Sequence, residues 1–288
     1  LISSATRPEA YDLASLIGRG LMFGRKQPIV IRMLDLPHKT PKLKALVNEL
    51  MDSAELPLED IVAITDPDIA FRDIDVAIML DTVEFGESLS ETERQKQCLK
   101  IYKGHAEFLE KHGKQTIKIA KKLEVPVETV KNVVVWGKAG PFAYIDMMHS
   151  NIQMENGKTT SAVELMKNDH WIKHTFIPHL REKCSENMPA DAVAILKAKA
   201  IVEHVHDLWL GTCEDWTSMV VYSNGEYGVA KDIFFGYPVT IPQPRGNPEI
   251  ITHLPFADWA VLEFERSAQE LVCEKERLVK LCEGTGSE

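Results

Sequence analysis

At 288 residues the chain can bury one large core or two of ordinary size. Hydrophobic residues at 44% and charged residues at 26% match globular averages, and no apolar run approaches the ~20 residues of a membrane span, so neither a disordered tail nor a membrane protein is indicated. A formal charge of -10, with no face lined by Lys and Arg, argues against a nucleic-acid partner.

The chain opens on Leu1, inside a predicted strand and without a signal-peptide pattern, and reads as a fragment of something longer. Cys98, Cys184, Cys213, Cys273 and Cys282 are odd in number and lack C-x-x-C spacing. Free thiols in a reducing, cytosolic setting are the expectation.

In chain order, "LISSA" predicts a strand, and the Pro-led "TRPEAYDLASLIGRG" predicts a helix ended by Gly18 and Gly20. "QPIVIRMLDL" is an apolar run closing on Asp35, the pattern of a strand covered on both faces. "PKLKALVNELMDSA" places Leu43, Leu46, Val47, Leu50 and Met51 at helical spacing. "LEDIVAIT" and "DIDVAIML" add two short strands, and strands alternating with helices imply a parallel sheet. Ser90 and Glu93 form a capping box that opens a helix through His112. "TIKIAKKLEVPVETVKN" continues as a short helix, and Val130 to Trp136 is a buried strand stopping at Gly137.

Beyond Gly137 the pattern changes. "SAVELMKNDHWIKHTFIPHLREKC" and "DAVAILKAKAIVEHVHDLWLGT" predict helices, "WTSMVVYS" and "GYPVTIP" predict strands, and "FADWAVLEFERSAQELVCEKERLVKLCE" predicts a long closing helix. This mixture marks an α+β second half, giving expected domains at 1–118 and 119–288.

A glycine-rich turn at the first helix lets main-chain N–H groups approach a pyrophosphate. Here Ser4, Ala5, Thr6, Arg7, Pro8, Glu9 and Ala10 contain no glycine, Pro8 removes a donor, and Glu9 places negative charge where phosphate would sit. Asp35 has two readings: acceptor for an adenosine ribose, or a strand-terminal Asp that starts a turn. His170 and His174, four apart on a predicted helix, lack a Glu between them and a third ligand, so a solvated helix face is preferred and no metal site is expected. His204 and His206, two apart on a helix, point to different sides. The loop after Gly137 offers Lys138, Ala139, Gly140 and Pro141, with His149 just beyond it.

"GLMFGRKQPIVIRMLDL", "FRDIDVAIML", "VKNVVVWG", "AIVEHVHDLWLGT" and "SMVVYSNGEYGV" occur in the order found in the cytosolic-type malate dehydrogenases of the lactate/malate dehydrogenase family, which the chain resembles over nearly its whole length. Its start resembles most a divergent animal paralogue in that family. The resemblance implies a Rossmann-like NAD-binding domain followed by an α+β substrate domain, interconversion of malate and oxaloacetate, and a homodimer paired through first-domain helices.

The resemblance also says what each site should contain. Ser4, Arg7 and Ala10 stand at the glycine positions, and Phe85, Gly86 and Glu91 stand where arginines grip the substrate. Lys138 and Ala139 replace the Asn and the catalytic His, so no catalytic residue remains at that position. Ser218 matches a serine near the substrate pocket and is read as inherited packing. After "LEKHGKQTIK" a family block carrying a sheet strand, and the Asp that orients the His, is missing. Three expectations follow: a scaffold without turnover, open to an unidentified protein partner; an oxidoreductase with a different substrate and a substitute base, Lys138 or His149; or a shortened product of splicing or gene prediction that folds poorly.

Overall fold

The computed structural model describes residues 1–52, 58–80, 122–126, 129–137, 144–154, 157–167, 190–213, 215–256 and 258–283. Two compact units are present, Leu1–Lys103 with Met188–Trp209, and Gly104–Asn187 with Leu210–Glu288.

In the first unit, α1 (Pro8–Gly18) begins at a Pro whose fixed φ suits the first helical turn, and it buries Ala10, Leu13, Ala14 and Ile17 along one stripe. Strand β1 (Ile29–Leu34) pairs in parallel with β2 (Leu58–Ile64). Between them α2 (Thr40–Asp52) buries Leu43, Val47 and Leu50 in the core that holds Ile31, Met33 and Ile61. Met51, expected on that stripe, is exposed.

The predicted strand "LISSA" contracts to one residue: Ile2 bridges Met33 and Ile78 in parallel, and then Ser4, at φ +47°, turns the chain out of the extended region. "DIDVAIML" contracts likewise to Ile78, because the Leu80 N–H goes to the Ser3 hydroxyl and leaves the ladder.

Coverage of β1 on both faces is corrected. Val30 is 50% exposed on the second face, where Arg32 donates to the carbonyls of Ile69, Ala70 and Arg72 at the end of α3 (Pro67–Ala70). A helix C-terminus with open carbonyls is a favourable place for a guanidinium.

The helix α5 (Ala190–Leu210), read from sequence as part of the second half, contributes Ala198 and Val202 to the first unit's core. Trp209 meets Phe23 edge to face at 4.9 Å.

In the second unit, the single strand expected over Val130–Trp136 divides into β3 (Val130–Lys131) and β4 (Val134–Trp136). Asn132, at φ +57°, breaks it, and its Oδ1 accepts from the Trp216 N–H at 3.1 Å. Asn tolerates this left-handed conformation better than most residues. Strand β3 joins an antiparallel sheet with β6 (Asn151–Gln153) and β7 (Thr159–Ser161), while β4 pairs with β5 (Tyr144–Asp146). Next, α4 (Ala162–Met166) ends at Lys167, at φ +45°, and the rest of that predicted helix lies outside the described residues. Strands β8 (Thr217–Tyr222), β9 (Phe234–Thr240) and β10 (Glu249–Ile250) form an antiparallel sheet. The closing helix α6 (Asp258–Glu283) buries Ala260, Phe264 and Ser267 at helical spacing.

Gly137 marks where β4 meets its neighbours. It has φ +86°, and a Cβ there would lie 1.9 Å from Ser267 Oγ and 3.2 Å from Ser267 Cβ. Gly137→Ala is expected to cost ~2 kcal/mol or more, from left-handed strain and the clash together. Ser267→Ala in the same chain removes the oxygen but not the strain, so urea melts should show partial recovery. Full recovery would refute the strain contribution.

Candidate functional site

The turn from Ser4 to Ala10 and the end of β1 come together at the N-terminus of α1. Asp35 is buried there, and one of its oxygens, Oδ2, accepts from the Thr6 N–H at 2.8 Å and from the Thr6 hydroxyl at 2.7 Å. The other, Oδ1, accepts from the Leu36 N–H at 2.8 Å and lies 3.6 Å from Lys39 Nζ. Four donors of the protein itself therefore engage the carboxylate that sequence reading left open between ribose acceptor and turn starter. Burial pushes the Asp35 carboxyl up, but the bonds from Thr6 and Leu36 and the Lys39 charge outweigh it and hold the group below the usual carboxylate range.

Several main-chain donors in this turn are engaged as well. The Ala5 N–H goes to the Leu34 carbonyl, Arg7 N–H to Ser4 and Ala10 N–H to Arg7. Pro8 has none to give. The buried Glu9 carboxylate pairs with Arg7 Nη2 at 3.1 Å and with Lys197 Nζ, on α5, at 3.5 Å. Burial raises the Glu9 pKa, but the Arg7 hydrogen bond, the residue's own N–H and the charges of Arg7 and Lys197 prevail, and it too is held low.

A depressed folded pKa contributes stability above the unfolded value, and that stability is lost as pH falls through the folded value. The first unit should therefore lose stability as pH falls below about 4.5, the ordinary carboxylate range, towards the depressed folded values. Thr6→Val, which deletes the hydroxyl donor and keeps the volume, is expected to cost ~1–3 kcal/mol at neutral pH and to flatten that pH dependence. An unchanged pH profile would count against the clasp.

In the second unit, Trp136 lies at the centre of an aromatic cluster, with ring centroids of Tyr227 at 4.8 Å, Phe256 at 5.1 Å and Phe264 at 5.4 Å. Its Nε1–H donates to the fully buried Asp146 at 3.3 Å. Asp146 also accepts from the Met148 N–H at 2.8 Å and lies 2.7 Å from His149 Nδ1. A carboxylate on Nδ1 orients the imidazole and selects the tautomer with its other nitrogen unprotonated. Sequence reading weighed His149 without this partner, although the D-x-x-H spacing was its signal. Ser218 is buried, its hydroxyl accepting from the Val135 N–H at 3.0 Å and lying 3.5 Å from the Val133 carbonyl, so it ties β8 to the β4 segment.

The loop with Lys138, Ala139, Gly140 and Pro141, the positions Phe85, Gly86 and Glu91, and the pair His170 and His174 lie outside the described residues. Among the described residues, no group of three or more His, Cys, Asp or Glu side chains could hold a metal ion, and no helix is long and apolar enough to cross a membrane.

Comparison with known proteins gives this geometry its kinship. The profile of the lactate/malate dehydrogenase alpha/beta C-terminal domain matches residues 112–281. The cytoplasmic malate dehydrogenase of Taenia solium is 33% identical over 326 positions that cover 96% of each chain. That of Homo sapiens is 30% identical, covering 96% of this chain and 95% of its own. Because 96% of 288 residues is about 276, some 50 of the 326 positions aligned with the Taenia solium protein have no residue here. Among solved structures, malate dehydrogenase from Naegleria fowleri superposes with a TM-score of 0.82 at 23% identity, covering 97% of both chains. Trichomonas vaginalis lactate dehydrogenase, in complex with NADH and oxamate, gives 0.81 at 22% identity and covers 98% of both. These two show the fold, a Rossmann-like parallel-sheet domain followed by an α/β C-terminal domain. By the matched domain and by identity over nearly its full length, the chain belongs to the lactate/malate dehydrogenase family, on its cytosolic-type malate dehydrogenase side.

Proposed function

We propose that this chain is a catalytically impaired malate dehydrogenase-like protein, a family scaffold that does not interconvert malate and oxaloacetate. What carries the proposal is Ala139, which the family resemblance places at the position of the catalytic histidine after the Trp136-Gly137 strand. A methyl group accepts no proton, and a missing general base costs ~10²-fold or more in rate. Support comes from Phe85, Gly86 and Glu91 at the substrate-arginine positions, since a ring, a hydrogen and a carboxylate attract no dicarboxylate. The turn before α1 does not fit the pyrophosphate of NAD either, because the N–H groups of Ala5, Thr6, Arg7 and Ala10 are engaged internally and Pro8 has none. In this reading Ser218 packs strands, and residues 1–118 and 119–288 are the nucleotide-type and substrate-type domains by chain order.

Oxaloacetate reduction by purified protein, followed through NADH absorbance, tests the proposal. Turnover within ~10²-fold of a histidine-bearing relative overturns it. Kinship with proteins named cytoplasmic supports a cytoplasmic setting, and the family habit of pairing supports a homodimer, which sedimentation velocity checks.

A second reading, an oxidoreductase with a different substrate, is favoured by one observation: Asp146 orients His149 as a carboxylate orients a general base. It requires NADH fluorescence enhancement on titration, and a flat titration ends it. The roughly 50 positions without a counterpart favour a third, an internally shortened chain of low stability. A single cooperative melt counts against that one.

A further inference from the structure

The geometry of the first unit points to a cofactor site that fills itself: Glu9 takes the cations that a dinucleotide's phosphates would seek, and Asp35, the acceptor its ribose would need, is taken by the protein's own donors, so the unit turns a nucleotide away. This inference rests on the family scaffold and not on the absence of turnover.

Two halves of the site are closed by different atoms. At the ribose half, Asp35 already accepts from the Thr6 N–H, the Thr6 hydroxyl and the Leu36 N–H and faces Lys39, so an arriving hydroxyl competes for a carboxylate that the protein has already paired. At the phosphate half, the first turn of α1 offers a positive helix end, and Arg7 and Lys197 stand beside it, which together are what an anion seeks. Glu9 already occupies both cations.

Asp12 on α1 adds an acid beside Glu9: its pKa is raised by burial, then by Asp191 on α5 and by Glu9. The same ion pair ties α5 to the start of α1 across 188 residues of chain, so the side chain that excludes an anion also fastens the fold.

The test measures the melting of the full chain with inorganic pyrophosphate as the probe, against chloride at equal ionic strength. Wild type is expected to show no shift. Glu9→Gln combined with Asp12→Asn removes two of the three acids, keeps the side-chain volumes, and leaves Arg7 and Lys197 facing the helix end. That variant is expected to melt ~3 °C higher in pyrophosphate at tenfold its dissociation constant. A pyrophosphate shift in wild type equal to that of the variant, or none in the variant, overturns the proposal. Should the double variant fail to fold, equilibrium dialysis of wild type against NADH decides: retained NADH overturns the self-filled site, and none retained supports it. Retained NADH without oxaloacetate turnover refutes this inference alone and leaves the proposed function standing.

Discussion

Mixed with NADH and oxaloacetate, the purified chain is expected to oxidise nicotinamide at least ~10²-fold more slowly than a relative with the histidine, and Ala139→His is expected to leave that rate unchanged within about twofold. The second half of the prediction is the more demanding. Restoring one base helps only where its partners are in place, because groups that act as a unit lose most of their effect when any one is removed. In the proposed reading Phe85, Gly86 and Glu91 stand at the substrate-arginine positions, so an imidazole at position 139 is expected to have no dicarboxylate held against it. The Asp35 carboxylate is meanwhile occupied by Thr6, Leu36 and Lys39. Recovery of malate oxidation in Ala139→His, followed by NADH formation, would mean that substrate and cofactor still bind and that the histidine alone was missing.

The largest expected effect on stability is at Trp136. Its ring is fully buried among Tyr227, Tyr237, Phe256 and Phe264, and it also donates to Asp146. Trp136→Ala opens a cavity the size of an indole and is expected to cost ~3–5 kcal/mol. At ~2–4 °C per kcal/mol, the second unit should melt roughly 6–20 °C lower by calorimetry.

Trp136→Phe separates packing from the hydrogen bond. It retains most of the ring contacts and removes the N–H with part of the indole area, while Asp146 keeps Met148 and His149 as partners. Its expected cost is ~1–3 kcal/mol. Combined with His149→Ala it should cost more than the two single changes summed, because both serve one buried carboxylate. Equal losses for Trp136→Phe and Trp136→Ala would locate the energy in the N–H and not in the ring cluster.

The sequence by itself determined the family and, among the described residues, the longer helices and strands, because these depend on local pattern. Helices α1, α2, α5 and α6 follow apolar stripes at helical spacing, and β1, β2, β8 and β9 follow short apolar runs between turns. Ser4 and Ala139 are likewise legible letter by letter, and the proposal that they stand at a glycine and a histidine position rests on the family resemblance. Tertiary structure alone decided which polar groups meet. Thr6 and Asp35 are 29 residues apart, Glu9 and Lys197 are 188 apart, and Ser218 reaches Val135 across 83. It likewise decided that Asn132 divides a strand and that "LISSA" contracts to Ile2. The physical reason is that a stripe of apolar side chains selects its own conformation within a few turns of backbone. A carboxylate, by contrast, takes whichever donors the folded chain brings near it, and no periodicity records those donors.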